Sequence, residues 1–118
     1  MALGEDLKIY HERDFPTYLP KLSLLYDELF SGGKGFRALL VKKIAQHLQL
    51  PADVQKLLAQ TVEFIHNASL LHDDLVDRSP LRRGKTAVWM KFSPEYAVLA
   101  GDYLLARVMV NLSGFGNI

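Results

Sequence analysis

The chain has 118 residues, 49% of them hydrophobic and 23% charged, with a formal net charge of +1; this suits one globular domain over 1–118 and gives no electrostatic basis for nucleic-acid binding. The absence of cysteine excludes disulfides and thiolate metal sites. The first residues lack the basic and apolar regions of a signal peptide, and Asp102 and Arg107 break the apolar stretch 97–110, so a soluble cytoplasmic protein with no transmembrane segment is expected.

Apolar residues recur at spacings of three and four with no sustained alternation, which predicts an all-α chain. A first helix is expected over about 5–13, ahead of Pro16. A second covers about 17–30, with Leu22, Leu25, Tyr26 and Leu29 on one face and Gly32-Gly33 as its stop. A third runs from about 34 to 48 and turns Leu40, Val41, Ile44, Ala45 and Leu48 inward. Pro51 and Asp53 open a long helix that continues to about 78, where Pro80 prevents extension. Because that helix is apolar on nearly every side around His66, it is expected to be central and buried. Ser93-Pro94-Glu95 starts the last helix, which reaches about 113 before Gly114 and Gly116.

The long helix carries the chemistry. His66 is followed by Asp73-Asp74-Leu75-Val76-Asp77, and Arg82-Arg83-Gly84 lies just beyond. At about 100° per residue, Asp77 sits roughly 40° around the axis from Asp73 and His66 roughly 20°, two turns below. Carboxylates stacked in this way repel one another unless a cation sits between them. Magnesium bridging to a phosphate answers that need, since it takes one or two carboxylates plus substrate oxygens. Upstream, Ser31-Gly32-Gly33-Lys34-Gly35-Phe36-Arg37 adds a second anion-binding signature. Its glycines leave the backbone open to an anion, a helix follows with free N–H groups at its start, and Lys34 and Arg37 are one turn apart. Taken singly, each segment also reads as a solvated charged surface.

Together these segments resemble the trans-isoprenyl (polyprenyl) diphosphate synthases. That family has a Gly-Gly-Lys-x-x-Arg segment, a His seven residues before an aspartate-rich motif, and Arg-Arg-Gly five residues after its last Asp; Lys34, Arg37, His66, Asp73, Asp77, Arg82 and Arg83 fall in register. The match extends from about Leu25 to Leu112. It departs at Gly35 and Ala38, where the family often has a basic residue and a proline.

The resemblance implies an antiparallel helix bundle of the isoprenoid synthase type, here about five helices, that joins isopentenyl diphosphate to an allylic diphosphate with Mg2+. It assigns Asp73 and Asp77 to the metal, with Asp74 in the same catalytic cluster. Arg82 is assigned to the allylic diphosphate, and Lys34, Arg37, His66 and Arg83 to isopentenyl diphosphate. It also implies a homodimer, to which the last helix would offer Tyr96, Leu99, Tyr103, Val110 and Leu112. Ala68 and Ser69, one turn before Asp73, are small where short-chain members often place an aromatic ring, which implies a product longer than geranylgeranyl diphosphate. Family members are longer and carry a second aspartate-rich helix. After Asp77 this chain has only Glu95 and Asp102 as carboxylates, so the expectation is the N-terminal half of a synthase, inactive by itself.

Other readings stay open. A non-catalytic diphosphate-binding or partner subunit would keep the same motifs, although the small subunits of the family use paired cysteines. A class I terpene cyclase shares the aspartate-rich helix but lacks the two basic segments. Gly84-Lys85-Thr86 is not a P-loop, because Ser79 stands where a glycine is required and a helix precedes it. His66 and His72 are six apart and face different sides of the helix, which disfavours joint ligation and leaves His72 a structural role. Trp89 and Phe92 read as core or interface residues.

Overall fold

The computed structural model describes residues 14–16, 18–30 and 35–114. In chain order these form α1 (Pro20–Phe30), α2 (Phe36–His47), α3 (Ala52–Val76), β1 (Leu81–Arg82), β2 (Lys85–Thr86), α4 (Val88–Lys91) and α5 (Pro94–Ser113). The expected all-α class holds, with one short antiparallel hairpin and the one-turn α4 as elements that periodicity did not reveal. The helix expected over 5–13 lies outside the described residues. Two compact units, 1–63 and 64–118, divide the chain inside α3.

In the first unit, α1 starts at Pro20, where a missing N–H costs nothing. It buries Leu25, and its Tyr26 and Phe30 meet Phe15 with ring centroids 5.3 and 5.6 Å away. Asp14 is fully buried, with the Gln60 amide of α3 donating to its Oδ2 at 2.7 Å. The inward face of α2 differs from expectation: Ala38 and Ala45 are buried, whereas Leu40, Ile44 and Leu48 are exposed. Alanines seven apart share a stripe and permit close backbone approach, and that small row won over the larger row beside it. Helix α2 stops in a left-handed turn at Gln49 (φ 60°), where the Leu50 N–H reaches the Ala45 carbonyl at 3.0 Å, as in a Schellman motif.

In the second unit, α3 buries Phe64, Ala68, Leu71 and Asp74. The steps of four, three and three place them along one stripe. The expected all-round burial is not seen, since Ile65 and Val76 are exposed. Helix α4 packs on α5, and Phe92 stacks on Tyr96 with centroids 4.6 Å apart. Ser93 caps α5: its backbone is extended and its hydroxyl accepts from the Tyr96 N–H at 2.9 Å, with Pro94 following. Helix α5 buries a narrow face of Ala97, Ala100, Gly101, Leu104 and Val108, while Leu99, Met109 and Val110 stay exposed. Among the described residues no helix is long and apolar enough to cross a membrane.

The Ser93 hydroxyl satisfies one of the N–H groups in the first turn of α5. Ser93→Ala is expected to lower stability by about 1 kcal/mol, and Ser93→Asp by much less. Equilibrium urea denaturation of the three proteins would measure the difference.

Candidate functional site

The aspartates stand where α3 ends, and that ending is built in detail. Arg78 adopts a left-handed backbone (φ 55°). The Ser79 N–H turns back to the Asp74 carbonyl at 2.9 Å and the Arg78 N–H to the Leu75 carbonyl at 3.2 Å, a second Schellman-type stop, followed by Pro80. The Trp89 indole N–H donates to the Ser79 carbonyl at 2.7 Å. The Pro80 carbonyl accepts from the Ala87 N–H at 2.9 Å. Between these two anchors the chain folds into the hairpin, with Leu81 opposite Thr86 and Arg82 opposite Lys85. Arg83 (φ 54°) and Gly84 (φ 77°) form its two-residue loop, and two positive φ values in succession are the signature of a type I′ turn.

The hairpin brings Arg82 onto Asp74. Nε of Arg82 donates to Oδ2 of Asp74 at 3.0 Å and Nη2 donates to Oδ1, a bidentate, charge-assisted pair. Asp74 is only 6% exposed, whereas the Arg82 side chain is 41% exposed. These hydrogen bonds raise the Arg82 pKa above its ordinary value; the charges of Asp74 and Asp73 add to this and burial opposes it. The guanidinium therefore stays charged throughout the working range.

Asp73 and Asp77 are exposed. Asp77 lies one residue past Val76, yet its N–H still bonds the Asp73 carbonyl at 2.8 Å, so the helical register carries through both. Among the described residues no three His, Asp or Glu side chains gather into a metal cluster. Two exposed carboxylates one turn apart nevertheless fit magnesium, which binds through one or two carboxylates and completes its shell with water and phosphate oxygens.

The remaining sequence-predicted residues are placed as follows. His66 is half-buried two turns before Asp73, and its carbonyl accepts from the Ser69 hydroxyl at 2.8 Å. Ala68 is 1% exposed and Ser69 is exposed. Arg83 is exposed at the hairpin tip. In the first unit, Arg37 lies in the first turn of α2 and pairs with the nearly buried Glu63 at 3.5 Å. Gly35 precedes it in the left-handed region (φ 64°) with no side chain capping the helix. Lys34 lies outside the described residues. Sequence reasoning missed the Asp74–Arg82 pairing and the Trp89 anchor. A glycine two residues after Arg82, at the second position of a two-residue loop, was the available signal for the hairpin.

A sequence model of the family described as polyprenyl synthetase matches residues 20–118. The chain is 39% identical to the heptaprenyl diphosphate synthase component 2 of Geobacillus stearothermophilus over 89 residues, covering 75% of this chain and 28% of that protein. It is 35% identical over 113 residues to the short chain isoprenyl diphosphate synthase of Methanocaldococcus jannaschii, covering 94% of this chain and 33% of the other. A crystal structure of a decaprenyl diphosphate synthase from Rhodobacter capsulatus superposes with a TM-score of 0.78 at 31% identity, over 98% of this chain and 35% of that one. The chain thus spans about a third or less of the length of the curated relatives it matches.

The different settings of the three aspartates predict different costs. Asp73→Ala and Asp77→Ala should change stability by less than about 0.5 kcal/mol, as exposed positions do. Asp74→Ala should cost about 1 kcal/mol or more, since it removes two hydrogen bonds to a charged group. Thermal and chemical unfolding of the three variants would test this ranking.

Proposed function

The chain belongs to the polyprenyl synthetase family, and from that premise we propose that the whole protein condenses isopentenyl diphosphate with an allylic diphosphate, with Mg2+, to give a long-chain polyprenyl diphosphate. The observation that carries this reading is the end of α3: two exposed carboxylates one turn apart beside a guanidinium that Asp74 holds in place. In the reaction the allylic C–O bond breaks and the diphosphate leaves with the electron pair. The isopentenyl double bond attacks the allylic carbon, and a proton is then lost. The barrier lies in charge collecting on the leaving diphosphate, so fixed positive charge aimed at its oxygens is the main demand.

Asp73 and Asp77 would hold the magnesium, which when bound supplies Lewis-acid stabilisation of that leaving group. Arg82 spends Nε and one Nη2 hydrogen on Asp74 and keeps its Nη1 edge for the allylic diphosphate. Lys34, Arg37, His66 and Arg83 would hold isopentenyl diphosphate. We place the protein in the cytoplasm as a self-associating enzyme, with exposed Leu99, Met109 and Val110 available for the contact. One relative is by name a component 2, which favours a second reading as a partner subunit; turnover by the protein alone would separate the two.

In the whole protein, Asp73→Ala should lower kcat by at least a hundredfold with the melting temperature nearly unchanged, measured by incorporation of labelled isopentenyl diphosphate. Near-normal turnover at saturating magnesium would sink the reading. Ala68→Phe should shorten the product if the growing chain passes beside that turn; mass analysis showing an unchanged product distribution would leave Ala68 a packing residue.

The backbone at Arg83 supports a further prediction. A non-glycine residue at φ 54° is strained, and Asn tolerates this region better than Arg. Arg83→Asn should therefore raise the melting temperature by a few degrees while raising KM for isopentenyl diphosphate at least tenfold. A raised KM for the allylic substrate alone would show that the two diphosphate assignments are exchanged.

A further inference from the structure

We infer that His72 and Gly101 form a size-matched lock that fixes the aspartate-bearing turn of α3 against α5, which makes both of them positioning residues for Asp73. Gly101 is buried in the middle of α5. A Cβ added there would lie 2.7 Å from Cδ2 and 2.9 Å from Cε1 of His72, and closer still to Nε2. The imidazole thus occupies the space that any other residue at 101 would fill with its own side chain. A glycine inside a helix is unfavourable by about 1 kcal/mol relative to alanine, and here the ring is what requires it.

The ring is also held by polar contacts from the same stretch of α5. Nε2 lies 3.2 Å from the Val98 carbonyl and 3.5 Å from Oδ1 of Asp102. A carbonyl only accepts, so Nε2 carries the proton and shares it between the two oxygens. Val98, Gly101 and Asp102 thus grip one imidazole, and the next residue along α3 is Asp73. Rotating the ring away would break both polar contacts. Shifting α3 along its axis would drive the ring into the α5 backbone. The lock itself stands on these contacts alone; its role in positioning Asp73 rests on the metal-diphosphate reading above.

A double-mutant cycle followed by equilibrium denaturation tests the lock. In the wild-type background Gly101→Ala should reduce the folding constant, because the methyl group meets the ring. In the His72→Ala background the same change should raise it by about fivefold, the helix preference of Ala over Gly. The same sign in both backgrounds would overturn the lock. If Gly101→Ala does not fold, nitrogen NMR of His72 in the wild type decides: an Nε2–H tautomer supports the lock, and an Nδ1–H tautomer refutes it. For the positioning role, Mn2+ affinity in the presence of inorganic diphosphate is read by electron paramagnetic resonance. His72→Ala should weaken it several-fold at temperatures where the variant remains folded, and an unchanged affinity would refute that role. If the wild type itself binds no manganese diphosphate, the functional reading and the positioning role fall together, while the cycle still decides the lock.

Discussion

The Asp74–Arg82 pair ties the last turn of α3 to the hairpin that follows, and the second unit is organised around that tie. Asp74 acts twice: its carbonyl accepts the Ser79 N–H that stops the helix, and its carboxylate accepts the guanidinium of Arg82. One residue therefore sets both where α3 ends and where the returning chain lies. The Trp89 indole on the Ser79 carbonyl and the Ala87 N–H on the Pro80 carbonyl hold the two ends of the excursion. A two-stranded ribbon of this length has little stability alone, so its place depends on these anchors.

This constraint separates three aspartates that look equivalent in the sequence. At about 100° per residue, Asp74 continues the buried stripe of Phe64, Ala68 and Leu71, while Asp73 is turned about 100° away from it and both Asp73 and Asp77 are exposed. Burial would make a lone carboxylate at 74 costly, and the bidentate pair offsets that cost. Neutralising Asp74 also removes one of the three like charges at the tip, so the exposed pair repel only each other. Under the function proposed above, a divalent cation would relieve that residual repulsion. The middle aspartate is thus a structural support for the outer two and for Arg82.

Much of this was legible in the sequence because helix punctuation has local chemical causes. Pro51, Asp53 and Ser93-Pro94 mark starts within one or two residues of those observed, and the angular argument puts His66 and Asp73 on one stripe of the continuous α3, with Asp77 kept in register just beyond its end by its N–H on the Asp73 carbonyl. What stayed hidden depends on contacts between segments. A two-residue strand is too short to show alternation, so the hairpin left only Gly84 as its trace. The pairing of Arg82 with Asp74 requires the chain reversal between them, which spacing alone does not encode. In α2 the apolar period is visible in the sequence, but the choice between the row of Leu40, Ile44 and Leu48 and the row of Ala38 and Ala45 is made by the neighbours.

The adjacent arginines show how the hairpin assigns opposite roles to identical side chains. Arg82 lies in β1 opposite Lys85, and its guanidinium is drawn back onto Asp74. Arg83 is the first loop residue, so its side chain leaves the ribbon at the tip and stays exposed. A helix would have set the two about 100° apart on one rigid rod; a tight turn separates them more sharply and fixes the first while leaving the second open. The left-handed backbone at Arg83 is the cost of placing an arginine, and not an asparagine or glycine, at that corner. Strain retained at a position where a better turn former exists points to a demand on the side chain itself. Under the function proposed above, the exposed Arg83 guanidinium at the tip would serve a second diphosphate, beside the first that Arg82 would meet while held by Asp74.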